Sequence, residues 1–149
     1  ESVYVLKRQL LYLPIYGWYI ARSDHIAIDR LGRMQALKKL AKDVLIKIKQ
    51  GKKVIIFPEG TRHKAHTLGD LKTGIYYLQK ITKLPVYPIA ISSGHIWPKN
   101  SFYKYKGIIV VKVLDPIPVG LKKNDFFIKL RSSLDKEISN IEQELKSYI

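Results

Sequence analysis

Residues 53–62 read KVIIFPEGTR, and they form the most informative segment of this 149-residue chain. The first half is strongly apolar and shows no polar alternation, which predicts a strand covered on both faces. Pro58 ends that strand because proline lacks the N–H group that a ladder needs. Gly60 permits a sharp turn or a close approach of the backbone to a ligand. Arg62 offers a planar fork of donors suited to a phosphate, so the segment predicts a buried strand leading into an anion-binding loop.

Glu59 has two interpretations when only its residue type and position are considered. Its carboxylate can accept a hydrogen bond from a substrate hydroxyl, or it can pair with an arginine and hold a structural turn. Between Arg30 and Lys83 the only acids are Asp43, Glu59 and Asp70. The loop therefore lies in the most basic part of the chain.

Hydrophobic periodicity predicts strands and helices on both sides of this segment. The predicted strands span 2–6, 25–30, 53–57, 85–91 and 107–113. The predicted helices span 34–48, ended by Gly51, then 71–82, and finally a helix beginning near Asn124 and Asp125, which are good N-caps. We therefore expect an α/β fold in a single domain covering residues 1–149, with a mixed central sheet flanked by helices.

The segment LLYLPIYGWYI at 10–20 is apolar and aromatic, and Arg22 follows it. One interpretation is a core helix with a turn at Pro14 and Gly17. The other is a segment at a membrane interface, where Tyr and Trp prefer to lie beside cationic residues. The residues alone leave both interpretations open.

The charge of the chain narrows the classes of partner. Its 27 Lys and Arg against 12 Asp and Glu give a formal net charge of +15. Such a field attracts the phosphates of nucleic acids, of lipid headgroups or of small substrates.

The composition excludes several classes of protein and of site. The 46% of hydrophobic residues excludes a disordered tail. The absence of cysteine excludes disulfides, a thiolate zinc site and a cysteine nucleophile, and no apolar run reaches the roughly 20 residues that span a bilayer.

Several ordered motifs resemble those of one enzyme family. Residues 57–62 match its third motif, 26–30 resemble its second motif, and 84–91 resemble its fourth, a hydrophobic strand with a proline. Residues 7–17 resemble the segment between the first and second motifs, and Lys72-Thr73-Gly74 fits a Lys-x-Gly that follows the third. On these motifs the chain resembles the glycerolipid acyltransferase superfamily, in particular its bacterial 1-acylglycerol-3-phosphate acyltransferases, over nearly its whole length.

The resemblance implies a reaction and a set of binding residues. An acyl group would pass from acyl-carrier protein or acyl-CoA, as co-substrate, to the free hydroxyl of lysophosphatidic acid, giving phosphatidic acid. No other cofactor and no metal is implied. The binding residues would be Arg30 and Arg62 for the phosphate, with Lys72 weaker, then Glu59, Gly60 and Thr61 around the glycerol, and Pro88 at the pocket wall.

The chain departs from the family in its first motif, a His and an Asp separated by four residues that supply the catalytic base. His25 and Asp29 are separated by three residues, as are His66 and Asp70. We expect the motif to lie upstream of Glu1, so that these 149 residues are an N-terminally truncated acyltransferase domain. On that expectation the chain holds no catalytic residue and is inactive by itself.

The partners implied are lysophosphatidic acid, the acyl donor and an anionic membrane surface at the cytoplasmic face of the inner membrane. No nucleic acid is expected, yet a nucleic-acid module remains an alternative, as does a lipid-surface binder without catalysis. The lysines that would contact nucleic-acid phosphates lack aromatic interleaving. They are Lys38, Lys39, Lys42, Lys47, Lys49, Lys52 and Lys53.

Overall fold

The structure, a computed structural model of the chain, describes residues 1–29, 33–61, 63–65 and 67–147. It divides into two compact units, Glu1–Phe57 and Pro58–Ile149. The first unit contains β1 (Ser2–Lys7), a 3-10 helix (Arg8–Tyr12), α1 (Tyr16–Arg22), β2 (Ile26–Ile28), α2 (Arg33–Lys49) and β3 (Lys53–Ile55). The second contains α3 (Gly74–Thr82), β4 (Ile89–Ile91), β5 (Val111–Val113) and α4 (Lys123–Lys146).

The first unit is built on a parallel three-stranded sheet in the order β2-β1-β3. Val5 lies opposite Ile26 on one side of the central strand, and Val3 lies opposite Val54 on the other. The parallel strands are joined by helical connections, as parallel pairing requires. The buried apolar residues of this unit come from the sheet, α1 and α2: Val3, Val5, Ile20, Ile26, Leu40, Ala41 and Val44.

An ion-pair cluster joins three segments of the first unit. The carboxylate of Asp24, between α1 and β2, accepts hydrogen bonds from the ammonium groups of Lys47 and Lys52. Lys52 also lies 3.6 Å from a carboxylate oxygen of Glu1. The hydrogen bonds from Lys47 and Lys52 lower the pKa of Asp24 to about 2, and the bond to Asp24 raises the pKa of Lys52.

The segment 10–20 folds as the 3-10 helix followed by α1. Gly17 is needed where the two meet, because a Cβ there would lie 2.1 Å from the carbonyl oxygen of Leu11. Within α1 only Gly17 and Ile20 are buried. The predicted helix and turn are confirmed, but the core placement is wrong for most of the segment, whose aromatic side chains face outward.

The second unit packs α3 and α4 against an antiparallel pair of strands. Ile89 lies opposite Val113, and Ile91 lies opposite Val111. The ring of Phe126, fully buried, lies 5.2 Å from Phe127 between ring centroids. The core of the unit comprises Ala90, Ile117, Phe126, Leu130, Leu134 and Ile141.

Two glutamates on α4 bind one lysine of β5. Lys112 Nζ lies 2.8 Å from Glu144 and 3.0 Å from Glu137. The hydrogen bonds to Glu144 and Glu137 raise the pKa of Lys112, and the bond from Lys112 lowers the pKa of Glu137. These pairs tie the long C-terminal helix to the sheet at two points almost two turns apart.

The α/β class is confirmed, with parallel pairing in one sheet and antiparallel pairing in the other. Four strands are shorter than predicted, including β2, which spans Ile26–Ile28 within the predicted 25–30. β3 ends at Ile55, and Phe57 is exposed, so the prediction of a strand covered on both faces is wrong at that end. β4 begins only after Pro88, which is placed at the strand end as expected. β5 begins at Val111, and the preceding Val110 N–H donates to the Ser92 hydroxyl rather than to a backbone carbonyl.

Two helices begin at other residues than predicted. α3 begins at Gly74 rather than at residue 71, and the preceding Lys72 N–H is bonded to the Pro58 carbonyl. α4 has Lys122 as its N-cap, without a side-chain cap, and Asp125 lies in its first turn. A carboxylate in the first turn is favourable next to the positive end of the helix dipole. The predicted N-caps, Asn124 and Asp125, are therefore wrong, although both residues lie in the first turn of α4.

Candidate functional site

The loop of residues 58–72 contains most of the predicted binding residues, and it is closed at its base. The backbone N–H of Lys72 donates to the Pro58 carbonyl at 2.9 Å. Leu68 and Leu71 pack against the hydrophobic core of the second unit. Both ends of the loop are therefore fixed to each other, and its second half is anchored by apolar contacts.

Glu59 holds the two halves of the loop together. Its Oε2 accepts a hydrogen bond of 2.7 Å from the backbone N–H of Gly69, ten residues away. The same oxygen lies 3.9 Å from Nε2 of His63. A carboxylate that accepts from a backbone N–H forms a charge-assisted bond, stronger than a neutral one. Glu59 therefore has a structural function in the loop, and its partner is the backbone.

Arg131 binds the carbonyl group of Gly69, the residue whose N–H group is bonded to Glu59. Its Nη2 donates a hydrogen bond of 2.9 Å to the Gly69 carbonyl from α4, 62 residues further along the chain. A Cβ at position 69 would lie 2.1 Å from His63 Nε2, so a side chain there would require the His63 ring to move. Gly69 is thus held at its N–H by Glu59 and at its carbonyl by Arg131.

The remaining predicted residues take different positions. Gly60 is buried with φ of 73°, a left-handed conformation that favours glycine. Thr61 and Lys72 are exposed. Pro88 is buried at the start of β4, where its carbonyl accepts a hydrogen bond of 2.9 Å from the Leu114 N–H.

The structure brings Glu59, Gly60, Thr61 and Lys72 onto one closed loop, while Pro88 lies elsewhere in the second unit. Arg30 and Arg62 lie outside the described residues, so their predicted contacts with phosphate stay predictions. His66 does too.

The other histidines make structural contacts. Nδ1 of His25 accepts a hydrogen bond from the Tyr4 N–H, and the two rings meet edge-on at 5.2 Å. Nε2 of His95 lies 3.1 Å from the Ile108 carbonyl oxygen. In the described part of the chain, no three His, Cys, Asp or Glu side chains are grouped to hold a metal ion.

A patch of exposed apolar side chains covers the 3-10 helix and α1, and we call it the aromatic patch. Lys7, Arg8 and Arg22 flank it in sequence. Because aromatic rings beside cations suit a membrane interface, the patch has the composition of a lipid-binding surface. Its members are Tyr12, Leu13, Ile15, Tyr16, Trp18 and Tyr19.

Sequence reasoning missed Gly69 and Arg131. Gly69 is marked only by being a glycine close to a predicted helix. Arg131 carries no local signal, because it lies on a helix whose sequence pattern predicts only which face is buried. Its contact depends on the packing of α4 beside the loop.

Comparison with known proteins agrees with the motifs. A family model described as acyltransferase matches residues 1–92. A 1-acyl-sn-glycerol-3-phosphate acyltransferase of Pseudomonas aeruginosa is 46% identical over 109 residues, which cover 73% of this chain and 42% of that protein. An uncharacterized acyltransferase of Schizosaccharomyces pombe is 33% identical over 147 residues, which cover 97% of this chain and 53% of that protein.

One solved structure shares the fold. The crystal structure of the 1-acyl-sn-glycerophosphate (LPA) acyltransferase, PlsC, from Thermotoga maritima superposes with a TM-score of 0.73 at 19% identity, covering 95% of this chain and 57% of that one. The chain spans about half the length of the curated relatives it matches. Among the helices of the described residues, none has the length and apolar character needed to cross a bilayer.

Proposed function

The chain belongs to the acyltransferase family, and on that premise we propose that it acts in 1-acylglycerol-3-phosphate acyl transfer. The free hydroxyl oxygen of the lysophosphatidic acid attacks the thioester carbonyl of acyl-CoA or acyl-carrier protein. The C–S bond breaks, the thiolate leaves with the proton lost by the hydroxyl, and phosphatidic acid is formed. A general base near that hydroxyl would assist the proton transfer.

The observation that carries this proposal is the closed loop of residues 58–72, which contains most of the family's third motif. A loop that is braced before substrate binds loses less conformational entropy when a phosphate docks on it. Glu59 takes its hydrogen bond from a backbone N–H, and Lys72 is exposed. We assign phosphate binding to Arg30 and Arg62, with Lys72 as a weaker contact, and the glycerol site to Gly60, Thr61 and Glu59. Pro88 would form part of the pocket wall.

No histidine of the chain is followed by an aspartate after four intervening residues. We therefore propose that these 149 residues supply the acceptor-binding part of the reaction. Acyl transfer by the 149-residue chain alone would contradict this division and would place the base among its four histidines.

We also propose that the protein works at the cytoplasmic face of the inner membrane. The aromatic patch and the net charge of +15 support this location, because anionic lipids of that leaflet attract each nearby Lys or Arg by about 1 kcal/mol. A lipid acceptor would then reach the enzyme from the bilayer in which it is dissolved.

The test is an acyl-transfer assay on the product of the complete reading frame. Lysophosphatidic acid is supplied in detergent micelles, once with acyl-CoA and once with acyl-carrier protein, so that the donor is identified as well. Arg62→Ala should lower kcat/KM by roughly 10- to 100-fold, the equivalent of one hydrogen bond to a charged group.

Lys80→Ala, an exposed cation on α3, is the matched control and should leave the rate unchanged. Failure with both donors, or an Arg62→Ala variant that behaves like Lys80→Ala, would overturn the proposed function.

A further inference from the structure

We propose that the loop of residues 97–106 is a second membrane-contacting element, which binds an anionic phospholipid surface. The inference rests on the proposed function in lipid metabolism, but its evidence is separate from the acyltransferase motifs and from the aromatic patch. It comes from the exposure, charge and internal bonding of one loop in the second unit.

The loop exposes aromatic side chains, although leaving an apolar ring in water does not stabilise a fold. Phe102 is fully exposed, and Tyr103 and Tyr105 are mostly exposed. Amphipathic aromatic rings of this kind prefer the headgroup region of a bilayer, where the ring is partly shielded and the hydroxyl of a tyrosine stays hydrated.

Lysines alternate with these rings. The segment WPKNSFYKYK at 97–106 contains Lys99, Lys104 and Lys106, all exposed. From residue 71 to residue 114 the chain has seven lysines and no acid, and of these lysines Lys112 is paired with Glu137 and Glu144 on α4. An anionic lipid surface complements the charge of the loop's own lysines, because residues 97–106 contain no carboxylate that would offset the attraction.

The loop is ordered by its own hydrogen bonds. The Tyr105 N–H donates to the Ile96 carbonyl at 2.8 Å and closes the loop at its base. Trp97 Nε1 donates to the Ser101 carbonyl at 2.9 Å, and the Ser101 hydroxyl accepts from the Tyr103 N–H at 3.1 Å. Because these bonds fix the backbone, the outward rings are presented without a large loss of conformational entropy on binding.

A single-stranded nucleic acid is the other polyanion that fits alternating rings and lysines, and the geometry favours it less. Base stacking needs open aromatic faces. The ammonium of Lys104 lies 4.6 Å from the centroid of the Trp97 ring and covers one of its faces. Phe102 and Tyr103 are consecutive and exposed, which suits insertion into an interface.

The experiment uses vesicles of equal parts phosphatidylcholine and phosphatidylglycerol, and it measures the fraction of protein that floats with them. Phe102→Ser with Tyr103→Ser should lower the partition coefficient about tenfold, because two apolar rings leave the interface. Lys104→Gln with Lys106→Gln should lower it roughly thirtyfold at low salt and much less at high salt. Ile128→Ser and Lys122→Gln with Lys123→Gln, which alter exposed residues of α4 and its N-cap, are the matched controls.

Fluorescence places the loop in the bilayer directly. The chain has two tryptophans, so a Trp18→Phe background leaves Trp97 as the single reporter. Its emission should shift to the blue with these vesicles and be quenched by brominated lipid. A circular dichroism melt of each variant confirms that the fold is retained.

Loop variants that float like the wild type, or a Trp97 that lipid does not quench, would overturn the proposal. So would variants that keep vesicle binding but lose binding to a single-stranded oligonucleotide. Acyl transfer in detergent micelles separates the two proposals: it tests the catalytic function without a bilayer, and the loop variants should leave its rate unchanged.

Discussion

The two contacts on Gly69 allow a sharp test of the loop that we assign to acceptor binding. Glu59→Ala removes the acceptor of the Gly69 N–H, and Arg131→Ala removes the donor to the Gly69 carbonyl. A hydrogen bond to a charged group contributes about 1.5–3 kcal/mol. The Glu59 side chain is 29% exposed, so we expect Glu59→Ala to lower the free energy of unfolding by about 1.5 kcal/mol, the bottom of that range.

Arg131 is exposed, and its bond competes with water, so Arg131→Ala should cost about 0.5 kcal/mol. Both contacts hold Gly69. Each of them therefore contributes less to the free energy of unfolding once the other has been removed. A double-mutant cycle should therefore give a coupling energy of about 0.5 kcal/mol. Urea unfolding followed by circular dichroism measures all four proteins, and Arg131→Lys tests whether a single ammonium donor is sufficient.

Glu59→Gln separates the structural function of this residue from a catalytic one. The amide oxygen of glutamine still accepts from the Gly69 N–H, so the stability should fall by less than in the alanine variant. If Glu59 also contacts the acceptor glycerol, kcat/KM of the complete protein should fall while the fold is kept. A Glu59→Ala variant as stable as the wild type, or a cycle with no coupling, would refute the brace described here.

Three further changes test the packing, the charges and the aromatic patch. Phe126→Ala should cost about 3–5 kcal/mol in a urea titration because a fully buried ring is lost, and Ile128→Ala on the exposed side of α4 should change little. Asp24→Asn should be less stable than the wild type above pH 3.8, and the difference should shrink as the pH falls from 3.8 through 2 and vanish only below that, because the folded-state pKa of Asp24 is lowered from 3.8 to about 2; a difference that stays undiminished down to pH 2 would contradict the pairing with Lys47 and Lys52. Ile15 has φ of 64° and is 76% exposed, so Ile15→Gly should raise the free energy of unfolding by about 1 kcal/mol and weaken vesicle flotation, whereas flotation equal to that of the wild type would show that Ile15 does not contact lipid.

The sequence predicts the local elements well where one periodicity continues without interruption. α2 has its predicted C-terminal glycine, Gly51, at φ of 72°, and β1 matches the predicted strand apart from its last residue. Shorter elements fail at their ends because the competing partner is distant in sequence. The Val110 N–H before β5 donates to the Ser92 hydroxyl, and the Lys72 N–H before α3 donates to the Pro58 carbonyl; neither contact follows from periodicity.

The candidate site likewise contains residues that the sequence identifies and contacts that it does not. Glu59, Gly60 and Thr61 are visible in the motif, since a proline, an acid and a glycine after an apolar strand are an unusual order. The partner of Glu59 is not visible, because the residues alone suggest an arginine or a substrate hydroxyl and the structure supplies a backbone N–H. Arg131 can be found only after α4 has been packed beside the loop.

The position of Glu59 explains how a loop with a net positive charge can be closed and still bind an anion. From residue 58 to residue 72 the chain has three Lys and Arg and two acids, Glu59 and Asp70. Like charges oppose the closure of such a loop, and a carboxylate paired with one of its cations would relieve the repulsion at the cost of a phosphate ligand. Glu59 instead accepts from a neutral N–H group, so its negative charge lowers the repulsion while the exposed ammonium of Lys72 keeps its capacity to bind a phosphate. On this reasoning the acid of the third motif is required for the loop's shape, because its carboxylate bonds to the Gly69 N–H and leaves the cations of the loop available to a phosphate.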